Sequence, residues 1–255
     1  MKVPRKEPSR TTLPSAVVFD LDGTLVNSPL DFPLMRREIL RTAEEFGVST
    51  RDAETLVDGG TTAQIMAWVH QEFSRANVSH AQQDRFEYRT KRKLDRLEMS
   101  ALENVRARKG AVPLLRSLRR ANVRMGILTR SSNAYCRRAM DRTSIRSFFE
   151  VVRTRSSPGP VKPDPAALLS VLSSLDVAPD RAVFVGDNPD DARCARGANV
   201  RFIGLLPEDE GSGDRWVTLF SEIGAVGVAR DLEEVSVILW DAVRKRPFGA
   251  LPKGH

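Results

Sequence analysis

The stretch VVFDLDGTLV, residues 17–26, decides how this 255-residue chain is interpreted. Its first residues are apolar and it then turns acidic and glycine-containing, which is typical of a buried parallel strand and its exit. Because side chains alternate along a strand, Asp20 and Asp22 are expected to project to the same side, with Leu21 turned away. Gly23 provides a backbone position without steric limits where the chain leaves the strand.

Two carboxylates at the end of an apolar strand need a physical explanation. Burying unpaired carboxylates costs several kcal/mol, so partners are expected. Helix capping, metal binding and catalysis are all compatible with the pair of Asp20 and Asp22 alone. The choice among them depends on the rest of the sequence.

Composition indicates an ordinary globular protein. Apolar residues make up 41% of the chain and charged residues 29%, a balance typical of soluble domains. No segment approaches the roughly 20 apolar residues that cross a bilayer, so no membrane association is expected. The two cysteines, Cys136 and Cys194, lack the spacing of a disulfide framework or a zinc site. We therefore expect a reducing compartment and a cytoplasmic protein.

The chain is strongly basic. Its formal net charge is +7 and its pI is near 9.8, which would suit a nucleic acid, an anionic membrane surface or an anionic small substrate. No recognised nucleic-acid motif or basic stripe with interleaved aromatics is present, so a nucleic-acid partner is not expected. Residues 1–15 are basic and proline-containing and predict a disordered tail, with organellar targeting as an alternative. Residues 247–255 are predicted to form a second flexible tail.

The periodicity of apolar residues divides the chain into two parts. Residues 33–108 show helical spacing and no obvious strand, so residues 28–108 are predicted to form a helical insertion. Residues 16–27 and 109–246 are predicted to form an α/β core, because strand and helix patterns alternate there. Such alternation implies a parallel sheet covered on both faces, with ligands bound at its carboxyl edge.

The core elements follow one another regularly. After a first strand at residues 16–20, the predicted elements are helix 113–121, strand 123–129, helix 133–143, helix 165–175, strand 182–186, helix 190–196, strand 200–203, a Gly-rich acidic loop at 207–214 and helix 232–244.

The insertion contains a heavily charged segment. Acids alternate there with arginines and lysines, which predicts an exposed helix with salt bridges along it. Its acids are Asp84, Glu87, Asp95 and Glu98. As an alternative, one of the insertion's arginines could hold a substrate carboxylate or a second phosphate.

Four short stretches together resemble one known family. DLDGTLV resembles the first motif of the haloacid dehalogenase-like hydrolases. The strand at 123–128 closed by Thr129 resembles the second motif, an apolar strand ending in Ser or Thr. Lys162, just before a helix, resembles the third, and GDNPDD at 186–191 resembles the fourth. All four stand in the expected order and at the expected structural places.

The resemblance covers residues 16–25 and 110–203. The insertion agrees in position, length and helicity with the helical cap of the phosphoglycolate phosphatase-like branch. The resemblance therefore implies a Rossmann-like parallel-sheet core with a small all-helical cap domain. Asn27 departs from that branch, in which many members carry an acid at the corresponding position.

The resemblance also implies a magnesium-dependent phosphatase. Asp20 would attack phosphorus to form an aspartyl-phosphate, which divides one difficult hydrolysis into two displacements. Asp22 would protonate the leaving group and then activate the hydrolytic water. Lys162 would contact the phosphate and Asp20 and stabilise the charge of the transition state.

Further residues are implied as ligands. The expected Mg²⁺ ligands are Asp20, the backbone carbonyl of Asp22, and Asp187. Asp191, in preference to Asp190, would hold the metal's waters or orient Lys162. The phosphate would be bound by the Thr129 hydroxyl, by Lys162 and by the backbone N–H groups of Leu21, Asp22 and Arg130.

Asp22 favours phosphate-ester chemistry, because the superfamily's dehalogenases lack an acid two residues after the nucleophile. The expected partner is a small phosphorylated metabolite, with 2-phosphoglycolate the first candidate and sugar or nucleotide monophosphates next. A sugar phosphomutase of the same fold and a non-catalytic binding module are the alternatives. The chain is expected to act as a monomer or a homodimer.

Overall fold

A six-stranded parallel sheet forms the centre of the molecule. The structure is a computed structural model and describes residues 13–208 and 213–245. Its strands are β1 Ala16–Phe19, β4 Arg124–Leu128, β5 Val151–Arg153, β6 Ala182–Gly186, β7 Arg201–Leu205 and β8 Gly227–Ala229. They lie in the order β5-β4-β1-β6-β7-β8, and every neighbouring pair is parallel. β1 is central and completely buried, as its apolar sequence predicts.

Helices cover both faces of the sheet. Alternate residues of β1 separate the two sides, since Val17 and Phe19 belong to one hydrophobic core and Ala16 and Val18 to the other. The first face is covered by α5 Ala111–Arg120, α6 Asn133–Arg142 and α10 Leu232–Lys245, and the second by α7 Pro165–Ser174, α8 Pro189–Gly197 and α9 Gly213–Ile223. The predicted α/β class with a doubly covered parallel sheet is thus confirmed.

The segment between β1 and α5 is mainly helical. It contains α1 Phe32–Glu44, α2 Glu54–Gly59, α3 Thr62–Arg75 and α4 His80–Ala101. These helices enclose a third hydrophobic core of their own, in which Phe46, Phe73 and Phe86 meet edge to face. None of the described helices is long and apolar enough to cross a membrane. That this unit is a separate cap domain with boundaries at 28 and 108 remains a prediction.

Two short strands were not expected in or beside the insertion. β2 Val26–Asn27 pairs antiparallel with β3 Arg106–Ala107. The expectation of no strand between residues 33 and 108 was therefore wrong for β3. Two residues are too few to show an alternating pattern, and the pairing depends on bringing together the chain's entry to and exit from the helical segment.

Other differences concern short elements and chain ends. β5 and β8 have only three residues each, and α9 begins at Gly213 inside the stretch predicted as a loop. Residues 13–15 of the predicted disordered tail are ordered, because the Ser15 N–H donates to the Arg181 carbonyl at 2.8 Å and Leu13 packs on the core. The rest of that tail and the predicted tail at 247–255 lie outside the described residues.

Candidate active site

Three predicted site residues follow the ends of three neighbouring strands. Asp20 comes directly after β1, Thr129 after β4 and Asp187 after β6. The last residue of β1 lies opposite the penultimate residue of both neighbours. Because parallel strands end at the same edge, this register brings the three positions to one place. Sequence reasoning placed them at this edge, and the structure agrees.

Lys162 lies between two carboxylates of this site. Its Nζ is 2.8 Å from Oδ1 of Asp20 and 2.6 Å from Oδ1 of Asp191, and its side chain is 3% exposed. Burial alone would lower the pKa of Lys162, but Asp191 and Asp20 hold that pKa above its usual value. The ammonium therefore stays charged beside Asp20.

Three acids form a cluster with the geometry of a metal site. Carboxylate oxygens of Asp20, Asp187 and Asp191 all lie within 4.8 Å of one another. The Thr24 hydroxyl donates to Oδ1 of Asp187 at 2.9 Å and orients it. Burial and then the nearby charge of Asp20 raise the pKa of Asp187 to about 7. An all-oxygen donor set of this charge fits a hard divalent cation such as Mg²⁺.

The loop after β1 is shaped to let Asp187 approach. Gly23 has a φ of +78°, and a Cβ at this position would lie 2.2 Å from Oδ2 of Asp187. Only glycine combines that backbone conformation with that contact. Asp191, which the resemblance implies as a holder of the metal's waters or as a partner of Lys162, is the third carboxylate of this cluster. The implied role of the Asp22 backbone carbonyl as a metal ligand stays a prediction.

The two neighbouring acids of α8 have separate partners. Asp191 accepts a hydrogen bond from the Asn188 N–H at 3.1 Å, capping α8, while its other oxygen faces Lys162. Asp190 instead forms ion pairs with Arg130 at 3.1 Å and Arg193 at 3.0 Å. The expectation that Asp191, and not Asp190, points toward Lys162 agrees with this geometry.

Asp22 is held by two hydroxyl groups that the sequence did not single out. Ser131 Oγ donates to Oδ2 of Asp22 and Tyr135 Oη donates to Oδ1, each at 2.7 Å. Burial raises the pKa of Asp22 to about 6, while the two hydroxyls act in the opposite direction. A carboxyl group with this pKa can both donate and accept a proton near neutral pH. Its position is fixed separately from that of Asp20, which contacts Lys162.

Backbone donors also remain available at the site. No acceptor within the described part of the chain takes a hydrogen bond from the N–H groups of Leu21, Asp22 or Arg130. Such groups, next to a charged lysine, suit a phosphate oxygen. Thr129 is buried at the same edge, and its Oγ1 accepts from the Ser131 N–H at 3.1 Å, so its hydroxyl hydrogen is not used by that contact.

Arg108 is a third side chain at this site that the sequence did not single out. It is buried directly after β3, donates to the Gly23 carbonyl, and donates to the Leu206 carbonyl at 2.7 Å. It therefore ties the loop that carries Asp20 and Asp22 to the end of β7. No local pattern marks it, because its partners are 85 and 98 residues away.

The unusual residue at position 27 has a physical explanation. Asn27 Nδ2 donates to Oε2 of Glu208 at 2.8 Å, and the same carboxylate pairs with Arg108 at 3.3 Å. An acid at position 27 would bring a second negative charge against Glu208. The Asn27 amide can instead donate a hydrogen bond to Glu208 without adding a charge.

Replacing Gly23 by Ala is expected to destabilise the protein by about 1–3 kcal/mol more than replacing Gly47 by Ala. Both glycines have φ near +80°, but no atom lies within 4 Å of a Cβ at Gly47. Gly47→Ala therefore reports only the backbone strain, about 1–2 kcal/mol. Urea unfolding of both variants measures the difference. Equal losses would show that the close approach to Asp187 does not exist in solution.

Several known proteins are similar to this chain in sequence or in fold. The family model of the haloacid dehalogenase-like hydrolases matches residues 17–205. A phosphoglycolate phosphatase of Pseudomonas putida is 30% identical over 76% of this chain and 70% of its own. An N-acetylmuramic acid 6-phosphate phosphatase of Pseudomonas aeruginosa is 27% identical over 76% of this chain and 84% of its own. The solved structure of a HAD hydrolase from Entamoeba histolytica, 18% identical, covers 90% of this chain and 99% of its own with a TM-score of 0.65, which concerns the fold alone.

Proposed function

Because the chain belongs to the haloacid dehalogenase-like hydrolase family, we propose that it is a Mg²⁺-dependent phosphatase that hydrolyses a small phosphate monoester through an aspartyl-phosphate on Asp20. The family and the relatives establish the coarser statement, a hydrolase of the phosphatase type. The observation that carries the finer proposal is the position of Asp20, whose carboxylate lies against the charged Lys162 and within the acidic cluster.

In the first step, a carboxylate oxygen of Asp20 attacks phosphorus and the bond from phosphorus to the ester oxygen breaks. Asp22 gives its proton to the departing oxygen, so that an alcohol leaves and not an alkoxide. Lys162 and the free N–H groups of Leu21 and Arg130 stabilise the equatorial phosphoryl oxygens.

In the second step, Asp22 accepts a proton from water as the water oxygen attacks phosphorus. The bond between phosphorus and Asp20 then breaks, which releases inorganic phosphate and regenerates both carboxyl groups. Asp20, Asp187 and Asp191 would hold Mg²⁺, which supplies neutralising charge between the nucleophile and the phosphate dianion.

The substrate proposal rests on the relatives. Their names include phosphatases of phosphoglycolate and of N-acetylmuramic acid 6-phosphate, so 2-phosphoglycolate is the first candidate and sugar phosphates follow. Asp20 and Asp22 are each only 7% exposed. Substrate access would therefore require the groups that cover these two carboxylates to move.

Phosphate release with a panel of monoesters tests this function. We expect turnover of at least one ester in millimolar Mg²⁺, a decrease of more than about 100-fold when a chelator removes the metal, and recovery when Mg²⁺ is added back. The panel should contain 2-phosphoglycolate, sugar 6-phosphates, nucleoside monophosphates and p-nitrophenyl phosphate. No turnover of any ester would contradict the proposal, and transfer of label between sugar hydroxyls without free phosphate would indicate a mutase.

A further inference from the structure

A buried ion-pair cluster joins helix α4 of the insertion to the α/β core. Glu98 on α4 is fully buried, and its Oε1 lies 2.7 Å from Nη1 of Arg155, just beyond β5. Asp95, one turn earlier on α4, lies 2.7 Å from Nη2 of the same guanidinium. The expectation that the acids of α4 lie on an exposed helix was wrong for Glu98, because this face of α4 packs against the core and not against water.

The same two side chains hold the backbone between β4 and α6. Arg155 Nη1 donates to the carbonyl of Arg130 at 2.8 Å. Oε2 of Glu98 accepts a hydrogen bond from the N–H of Ser132 at 3.0 Å. The two peptide groups flank Ser131, whose own carbonyl accepts from the Arg155 N–H at 3.1 Å. Ser131 is therefore fixed on both sides by a charged pair that forms only when α4 lies against the core.

Ser131 is one of the two residues that hold Asp22, through its 2.7 Å hydrogen bond to Oδ2. The contacts thus form a continuous path from the helical segment to the group that exchanges protons with the substrate. Each step of the path is a hydrogen bond of ordinary length between buried or half-buried atoms. A shift of the loop around Ser131 would change the direction of the Asp22 carboxyl while leaving Asp20 and Lys162 in place.

We propose that Glu98 and Arg155 form a positioning pair that orients Asp22 for proton transfer when the helical segment docks on the core. The inference rests on the proposed function of Asp22 as the acid and base. Neither Glu98 nor Arg155 is assigned contact with the reacting atoms. Their effect passes through the backbone of Arg130 and Ser132 and the hydroxyl of Ser131.

The test uses two substrates whose leaving groups differ in their need for a proton. An alkyl phosphate needs protonation of its leaving oxygen, whereas p-nitrophenolate leaves without it. The ratio kcat/KM reports the steps up to formation of the phosphoenzyme. We expect Glu98→Gln and Arg155→Lys to lower kcat/KM by about 10-fold to 100-fold for the alkyl phosphate and by less than about 3-fold for p-nitrophenyl phosphate.

Glu45→Gln is the matched control. Glu45 lies directly after α1 and pairs with Arg89 and Lys93 of α4 at 2.6 and 2.9 Å. Unlike the pair of Glu98 and Arg155, these contacts are exposed and lie within the helical segment. For this variant, kcat/KM should stay within about twofold of the wild-type value for both substrates, as expected for an exposed ion pair. Equal losses on both substrates in Glu98→Gln would show a merely structural interface and overturn the proposal.

Ser131→Ala keeps the test decisive if the charged variants fail to fold, since it leaves the ion pairs intact and removes only the last hydrogen bond of the path. Ser131→Ala should lower kcat/KM for the alkyl phosphate much more than for p-nitrophenyl phosphate. An unchanged kcat/KM for the alkyl phosphate would overturn the proposal. When Asp22→Asn is already present, adding Glu98→Gln should lower kcat/KM for the alkyl phosphate by less than about twofold further. If Asp22→Asn itself shows no leaving-group dependence, the proposed function of Asp22 has failed, a result distinct from failure of the positioning pair.

Discussion

Replacing Asp20 by Asn is expected to reduce phosphate release by at least about 10⁴-fold, because the amide cannot form the aspartyl-phosphate. Asn has almost the same size as Asp, so the fold around β1 should persist. The Nζ of Lys162 keeps Asp191 as a partner at 2.6 Å in this variant. Steady-state phosphate release measures the loss, and a phosphoryl group found on the peptide containing Asp20 in quenched wild-type enzyme identifies the intermediate.

Asp164→Asn is the matched control for this experiment. Asp164 is exposed two residues after Lys162, and its side chain accepts from the Ala166 N–H at 2.8 Å to cap α7. Asn caps helices about as well as Asp, so activity should remain within about twofold. Retained turnover in Asp20→Asn beside a normal control would mean that another group attacks phosphorus.

The parts of the site that could be predicted from sequence are those encoded locally. Asp20, Thr129 and Asp187 each follow an apolar strand, and parallel strands bring their ends to one edge whatever the details of packing. Lys162 was found only through the resemblance, since a lysine before a helix is common. The central strand and the alternating core were predictable because burial on both faces produces long apolar runs.

The remaining site residues act across the chain and carry no local pattern. Ser131 and Tyr135 reach Asp22 over 109 and 113 residues, and Glu98 reaches Arg155 over 57. The interleaved charges of α4 predicted a helix exposed to solvent. Alternation of charges does not reveal that one face of the helix packs against the core. The short strands β5 and β8 were missed for a related reason: three residues are too few to show periodicity.

Replacing Asp22 by Asn is expected to have the second large effect on activity. The variant distinguishes phosphorylation of Asp20 from hydrolysis of the aspartyl-phosphate. For an alkyl phosphate, kcat/KM should fall by about 10²-fold to 10⁴-fold, because no group protonates the leaving oxygen. The side chain should stay in place, since the hydroxyls of Ser131 and Tyr135 can rotate to bond an amide as well as a carboxylate. A parallel decrease in stability would argue against this and is checked by thermal unfolding.

With p-nitrophenyl phosphate the same variant should behave differently. Phosphorylation of Asp20 needs no acid for this leaving group, so kcat/KM should fall by less than about 10-fold, whereas kcat should fall much further because the hydrolytic water loses its base. The aspartyl-phosphate then accumulates, and the first turnover releases p-nitrophenol in an amount equal to the enzyme. A loss that is equal for both substrates, without this burst, would remove Asp22 from proton transfer and leave it a structural partner of Ser131 and Tyr135.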